Sequence, residues 1–71
     1  MFKVNAECVR GLVVERGLSL RDFARQAGLN EITARRALTD DTKLSLAVFG
    51  ALAKFFGVGA DELILSKKNG G

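Results

Sequence analysis

The sequence predicts an all-α fold, a compact bundle of five short helices, and three observations predict it. Apolar residues recur at the i, i+3, i+4, i+7 spacing of a helical face through most of the chain. Glycines stand where helical segments should stop rather than in linkers. There is no proline, no low-complexity stretch and no internal repeat. The 71 residues make one domain, 1–65, followed by a tail, 66–71, whose Lys, Asn and Gly content predicts disorder. A core of this size supports a stability on the order of several kcal/mol.

Asn5 is placed to cap a first helix whose inward side is Val9, Leu12, Val13 and the stem of Arg16, with Gly17 ending it. Ser19 opens helix 2. Ser19 with Asp22 has the form of a capping box in an acidic variant, and Leu18 with Phe23 has the spacing of a hydrophobic staple. Helix 2 sets Leu20, Phe23, Ala24 and Ala27 on one side and Arg21, Asp22, Arg25 and Gln26 on the other, then breaks at Gly28. Asn30 caps helix 3, which at 100° per residue turns Ala34, Ala37 and Leu38 inward and Glu31, Ile32, Arg35, Arg36 and Thr39 outward. A polar bridge, residues 39–43, leads to Ser45, the cap of helix 4. Its core stripe is Leu46, Phe49, Leu52, Ala53 and Phe56, and Gly57 stops it. A last short helix is expected over roughly residues 60–65.

Composition narrows the function classes. With no histidine and a single cysteine, Cys8, the chain lacks the residues for an internal disulfide, a His/Cys zinc site, or a Cys-His or Ser-His catalytic arrangement. The expectation is a non-enzyme without cofactor or metal, with Cys8 a small core or boundary residue. The N-terminal residues carry no long apolar core of a signal peptide and no apolar run approaches bilayer length, which predicts a cytoplasmic protein. The net charge of +3 suits a polyanionic partner without demanding one.

Residues 18–38 thus form two short amphipathic helices around a glycine turn, the second with paired arginines on its exposed face. That is the pattern of a helix-turn-helix, which lays its second helix in the major groove of DNA. The candidate DNA-reading residues are Asn30, Glu31, Ile32, Thr33, Arg35 and Arg36. Arginine can fork onto guanine, asparagine pairs with adenine, glutamate accepts from cytosine and isoleucine packs on a thymine methyl. The competing expectation is that Glu31 and Arg35 form an i,i+4 pair on a solvated face, worth a few tenths of a kcal/mol. An exposed Ile32 has no reason to stand on such a face. Arg21, Arg25 and Lys43 flank the helix as candidate phosphate contacts.

Arg16-Gly17-Leu18-Ser19, Phe23-Ala24, Gly28-Leu29, Ser45-Leu46, Phe49, Ala53, Phe56-Gly57-Val58 and Asp61-Glu62-Leu63 keep, without gaps, the spacing of a known family. Through them, residues 9–65 resemble the Cro/C1-type (XRE-like) helix-turn-helix proteins, phage repressors and bacterial transcriptional regulators. The resemblance implies a lambda-repressor-like five-helix domain, sequence-specific binding to double-stranded DNA through the helix near Asn30, a repressor's role, and action as a homodimer. Three features depart from the family pattern. Leu20 stands where a phosphate-holding glutamine often opens helix 2; Ala34 and Ala37 replace larger aliphatics; Asp40 and Asp41 occupy a loop that is often glycine-rich and basic. Those two carboxylates would repel phosphates unless they turn away or cap a helix.

A second apolar strip on helix 4, Val48, Ala51 and Phe55, is either covered by the first and last helices or forms a dimer or partner surface with Ile64 and Leu65, or with Val14. Two rival functions follow. One is an antitoxin of the same fold, which would bind a toxin protein as well as DNA. The other is an interaction module that has lost DNA binding.

Overall fold

The computed structural model describes residues 1–65; the expected disordered tail, 66–71, lies outside the described residues. Five helices follow in order: α1 Ala6–Glu15, α2 Leu20–Ala27, α3 Glu31–Ala37, α4 Leu46–Phe56 and α5 Ala60–Leu63. Each cap expected from side-chain chemistry is made. Asn5 Oδ1 accepts from the Cys8 amide at 3.2 Å, Ser19 Oγ from Asp22 at 3.1 Å, Asn30 Oδ1 from Thr33 at 2.8 Å and Ser45 Oγ from Val48 at 3.4 Å. Only half of the capping box at Ser19 forms, because the Asp22 carboxylate takes the Arg25 guanidinium at 3.0 Å instead of turning back to the cap.

The core is apolar throughout the described residues, with no polar or charged side chain buried in it. Val4, Val9, Phe23, Phe49, Leu52 and Leu63 are its largest fully enclosed side chains. Ala34 and Ala37 are 0 % exposed, so α3 lies close against α2 with only methyl groups between its backbone and the core.

Three features differ from the sequence expectation. Two short strands, β1 Phe2–Lys3 and β2 Lys43–Leu44, pair antiparallel with Phe2 opposite Leu44 and Lys3 opposite Lys43. Helix α5 stops at Leu63 rather than at residue 65. Ile64 turns extended (φ −93°, ψ 129°) and bridges Val4, while Leu65 donates to the Lys3 carbonyl at 2.8 Å. β1 therefore sits between β2 and residues 64–65, and its backbone groups find partners on both sides. Leu46, expected in the core stripe of α4, is 63 % exposed, and the stripe starts at Phe49. Leu44, buried on β2, supplies apolar bulk to the core just ahead of α4, and Leu46 as the first helical residue falls outside it.

Arg16, at the C-terminal end of α1, ties two helices together. Its guanidinium stacks over the rings of Phe55 and Phe56, 5.1 and 5.2 Å from their centroids. It donates to the carbonyls of Phe55 at 3.4 Å and Phe56 at 3.1 Å, groups that the end of α4 leaves without helical partners.

Candidate nucleic-acid interface

α2 and α3 meet across a turn at Gly28, whose φ of +76° is a left-handed conformation that glycine adopts without a Cβ penalty. The Leu29 amide reaches back to the Ala24 carbonyl at 2.8 Å, closing a Schellman-type end, and Asn30 caps α3 immediately after. Two residues thus separate one helix end from the next cap, which sets the angle at which α3 leaves α2.

On the outer face of α3, Glu31, Ile32, Arg35 and Arg36 are exposed, Ile32 at 70 %. Thr33 is half-buried. Asn30 is exposed, but its Oδ1 is occupied by the cap, leaving Nδ2 as the group free to meet a ligand. Glu31 does not pair with Arg35. Its Oε2 lies 3.6 Å from Nε of Arg21 on α2, across the turn. Among the described residues Arg35 and Arg36 make no side-chain hydrogen bond or ion pair, so both guanidinium groups stand free beside Ile32.

Glu31, Ile32, Arg35 and Arg36 line a groove of about 410 Å³ together with Thr39 and Thr42; Asn30 and Thr33 do not line it. The Thr39 hydroxyl donates to the Arg35 carbonyl at 2.8 Å, finishing α3. Thr42 was not foreseen as part of this surface. It stands just before β2, a strand whose existence the sequence reading missed, and its carbonyl receives the Val4 amide at 2.8 Å.

The candidate phosphate contacts divide. Arg21 and Arg25 are exposed yet held by Glu31 and Asp22, while Lys43, exposed on β2, has no carboxylate partner among the described residues. Lys43 faces Lys3 across the sheet, and that like-charge contact is relieved because Lys3 Nζ lies 3.4 Å from Asp41 Oδ1. Asp40 pairs with Arg10 of α1, also at 3.4 Å, and the same guanidinium nitrogen donates to the Leu38 carbonyl at the end of α3 at 2.8 Å. Asp41 adopts φ +62°, a left-handed turn that aspartate tolerates, on the way into β2. Both carboxylates of the loop are therefore bound to cations of the N-terminal region. Lys3 and Arg10 were not among the site residues expected from the sequence, because both lie about thirty positions or more away in the chain.

The apolar strip of α4 is largely spoken for within the molecule. Phe55 is half-buried between Phe23, 6.3 Å away, Phe56, 4.9 Å away, and the Arg16 guanidinium. Val48, Ala51 and Ile64 are half-buried, Leu65 is 43 % exposed and Val14 is 77 % exposed. Cys8 is half-buried on α1. No helix among the described residues is long and apolar enough to cross a membrane.

A helix-turn-helix family model matches residues 9–63, a span from α1 through α5 that contains the turn at Gly28 and the whole outer face of α3. No curated protein matches the chain.

Proposed function

Because the chain belongs to the Cro/C1-type helix-turn-helix family, whose members are DNA-binding regulatory domains, we propose that it is a small transcriptional repressor. It reads double-stranded DNA by laying α3 in the major groove. The observation that carries this reading is the pair Arg35 and Arg36, exposed and without side-chain partners among the described residues, beside an exposed Ile32. Ile32 gives that face an apolar contact group beside the two cations, and a stability network would have paired the arginines.

In this reading Arg35 and Arg36 fork onto guanine O6 and N7, Ile32 packs against a thymine methyl, and the Asn30 Nδ2 meets an acceptor on a base edge. Thr33, half-buried at the first turn, contributes its hydroxyl at close approach. Lys43, the terminal nitrogens of Arg21 and Nη1 of Arg25, whose Nη2 is held by Asp22, contact phosphates and give binding its salt dependence. Asp40 and Asp41 do not oppose this, since Arg10 and Lys3 neutralise them locally. Repression follows from occupying a promoter as a homodimer, with half-sites about 34 Å apart on one face of the duplex.

Selection of bound duplexes from a random pool at two salt concentrations tests the proposal. The expected result is an enriched, two-fold symmetric motif. Binding without enrichment would reduce the interface to electrostatic attraction and refute base reading.

A further inference from the structure

We propose that the outer face of α1 docks a basic amphipathic helix of another protein, on a surface separate from the one that meets DNA. Its centre is Gly11, with Glu7 and Glu15 about one turn to either side, all three exposed. With Cys8, Leu12 and Val14 they line a shallow groove of about 770 Å³ along the helix. The docking surface is independent of whether α3 reads DNA.

Three residues of this face are unfavourable choices for the domain on its own. Gly11 lies in the middle of a ten-residue helix, where only proline is a weaker helix former, and a Cβ added there would meet no neighbouring group within 4 Å. Packing among the described residues therefore does not call for a glycine. Glu15 is the last residue of α1, where a carboxylate opposes the helix dipole, and the last turn holds no basic residue to offset it. Val14 is 77 % exposed. At 100° per residue Val14, Glu7, Gly11 and Glu15 fall within an arc of about 100°, so the three conflicts share one side of the helix. Local choices that cost stability and gather on one face point to a role outside the fold.

The charges select the occupant. Glu7 and Glu15 make no ion pair among the described residues, and the two arginines of the region are engaged elsewhere. Arg10 is held by Asp40 and the Leu38 carbonyl, Arg16 by the carbonyls that end α4. Phosphates are repelled by such a face. A second copy of the chain fits no better. Two α1 helices crossing at Gly11 about a two-fold axis set Glu7 against Glu15 when antiparallel, and each glutamate against its own equivalent when parallel, so like charges meet in either direction. The complementary partner is a helix with a small or apolar residue over Gly11 and lysine or arginine about four positions to each side, since the two carboxylates lie about 12 Å apart along the axis. The missing side chain at Gly11 lets that helix approach closely, and Cys8, Leu12 and Val14 give it apolar contact.

The experiment selects binders to the full-length protein from a display library of random peptides about 16 residues long, enough for a bound helix. Enriched peptides are synthesised and their affinities measured for wild type, Glu7→Gln/Glu15→Gln, Gly11→Leu and, as a control on α5, Asp61→Asn/Glu62→Gln. The expected result is an enriched class with lysine or arginine on both sides of an apolar residue. Its affinity should fall about fivefold or more on Glu7→Gln/Glu15→Gln and weaken with added salt. It should fall about tenfold or more on Gly11→Leu, which fills the groove, and change by less than about twofold on the α5 control. Melting curves should place Gly11→Leu at or above wild type, because leucine is the better helix former, which separates lost docking from lost folding. The absence of a basic class, or a basic class indifferent to both α1 variants, would overturn the proposal. Binding weakened by the glutamate variant but not by Gly11→Leu would mark general charge attraction and overturn it as well. A wild-type dimer in sedimentation that Gly11→Leu dissociates would make a second copy the occupant and refute the heterologous partner.

Discussion

Replacing Arg16 with alanine should destabilise the domain far more than the loss of an exposed charge normally does. Ordinary surface substitutions change stability by about 0.5 kcal/mol or less. Arg16 makes contacts of three kinds. It donates to two carbonyls at the end of α4, at 3.1 and 3.4 Å, of which the shorter is worth about 1 kcal/mol net. Its stack over Phe55 and Phe56 contributes about 0.5 to 1 kcal/mol at a partly solvated site. Its charge at the C-terminus of α4 adds about 0.3 kcal/mol, the low end for an exposed group. Together the loss is about 2 kcal/mol, which for a domain of this length lowers Tm by about 8 to 16 °C. Urea unfolding followed by circular dichroism gives the free energy, with the slope unchanged if only stability is affected. Arg16→Lys should recover the dipole contribution alone, about 0.3 kcal/mol, because an ammonium neither stacks broadly nor reaches both carbonyls. A loss below about 0.5 kcal/mol for Arg16→Ala would show that Arg16 is a solvated cation and that α1 and α4 are held by apolar contacts alone.

Arg36→Ala should lower affinity for the selected duplex by about 1 to 3 kcal/mol and relax preference at one base position; an equal loss on every sequence would count against base reading. Arg25→Ala, by contrast, should weaken binding to all sequences alike and flatten the salt dependence, and a change in sequence preference would overturn its assignment to phosphate. Asp40→Asn with Asp41→Asn should leave affinity within about twofold, since both carboxylates are turned onto Arg10 and Lys3; tightening by tenfold or more would place them against the DNA backbone. Ala34→Leu should cost about 1 to 3 kcal/mol of stability and weaken DNA binding with it, because a fully enclosed methyl leaves no room for a larger side chain and α3 must move off α2. A variant as stable as wild type would mean that the α2–α3 packing is loose.

The starts of α1 to α4 and the ends of α2 and α4 were legible because each is decided by a few adjacent residues. Asn5, Ser19, Asn30 and Ser45 accept the amide three positions on, and glycines end α2 and α4 in left-handed geometry. The strands were not legible. β1 and β2 hold two residues each, too few for a period-2 pattern to show, and they form only because folding brings residues 2–4 between residues 42–44 and 63–65. The same pairing pulls Ile64 out of α5. Leu46 misled for a related reason: its helical phase is right for the stripe, but the entry of the chain from β2 lets the buried Leu44 serve the core ahead of it. At the candidate site the outward face of α3 could be read from 100° steps, whereas its ion pairs could not. Periodicity names which residues share a face; it does not choose between Arg35 and Arg21 as the partner of Glu31.

That choice bears on function more than on stability. Four ion pairs occur among the described residues, and the carboxylates they engage are Asp22, Glu31, Asp40 and Asp41, all of them in α2, α3 or the loop that follows. The side-chain carboxylates that make no ion pair among the described residues are Glu7 and Glu15 on α1 and Asp61 and Glu62 on α5, two elements that pack against each other. Each pair is solvent-exposed and worth about 0 to 1 kcal/mol, so the pairs do not account for the fold. Their effect is on the field. Two of the partner cations, Lys3 and Arg10, come from outside the helix-turn-helix, which offsets its acidic loop while Arg35, Arg36 and Lys43 have no carboxylate partner among the described residues. A net charge of only +3 is thereby compatible with a concentrated positive surface on α3 and β2. The loop that departs most from the family pattern, Asp40-Asp41, keeps its negative charge matched by cations of the N-terminal region, as the proposed approach to DNA phosphates requires.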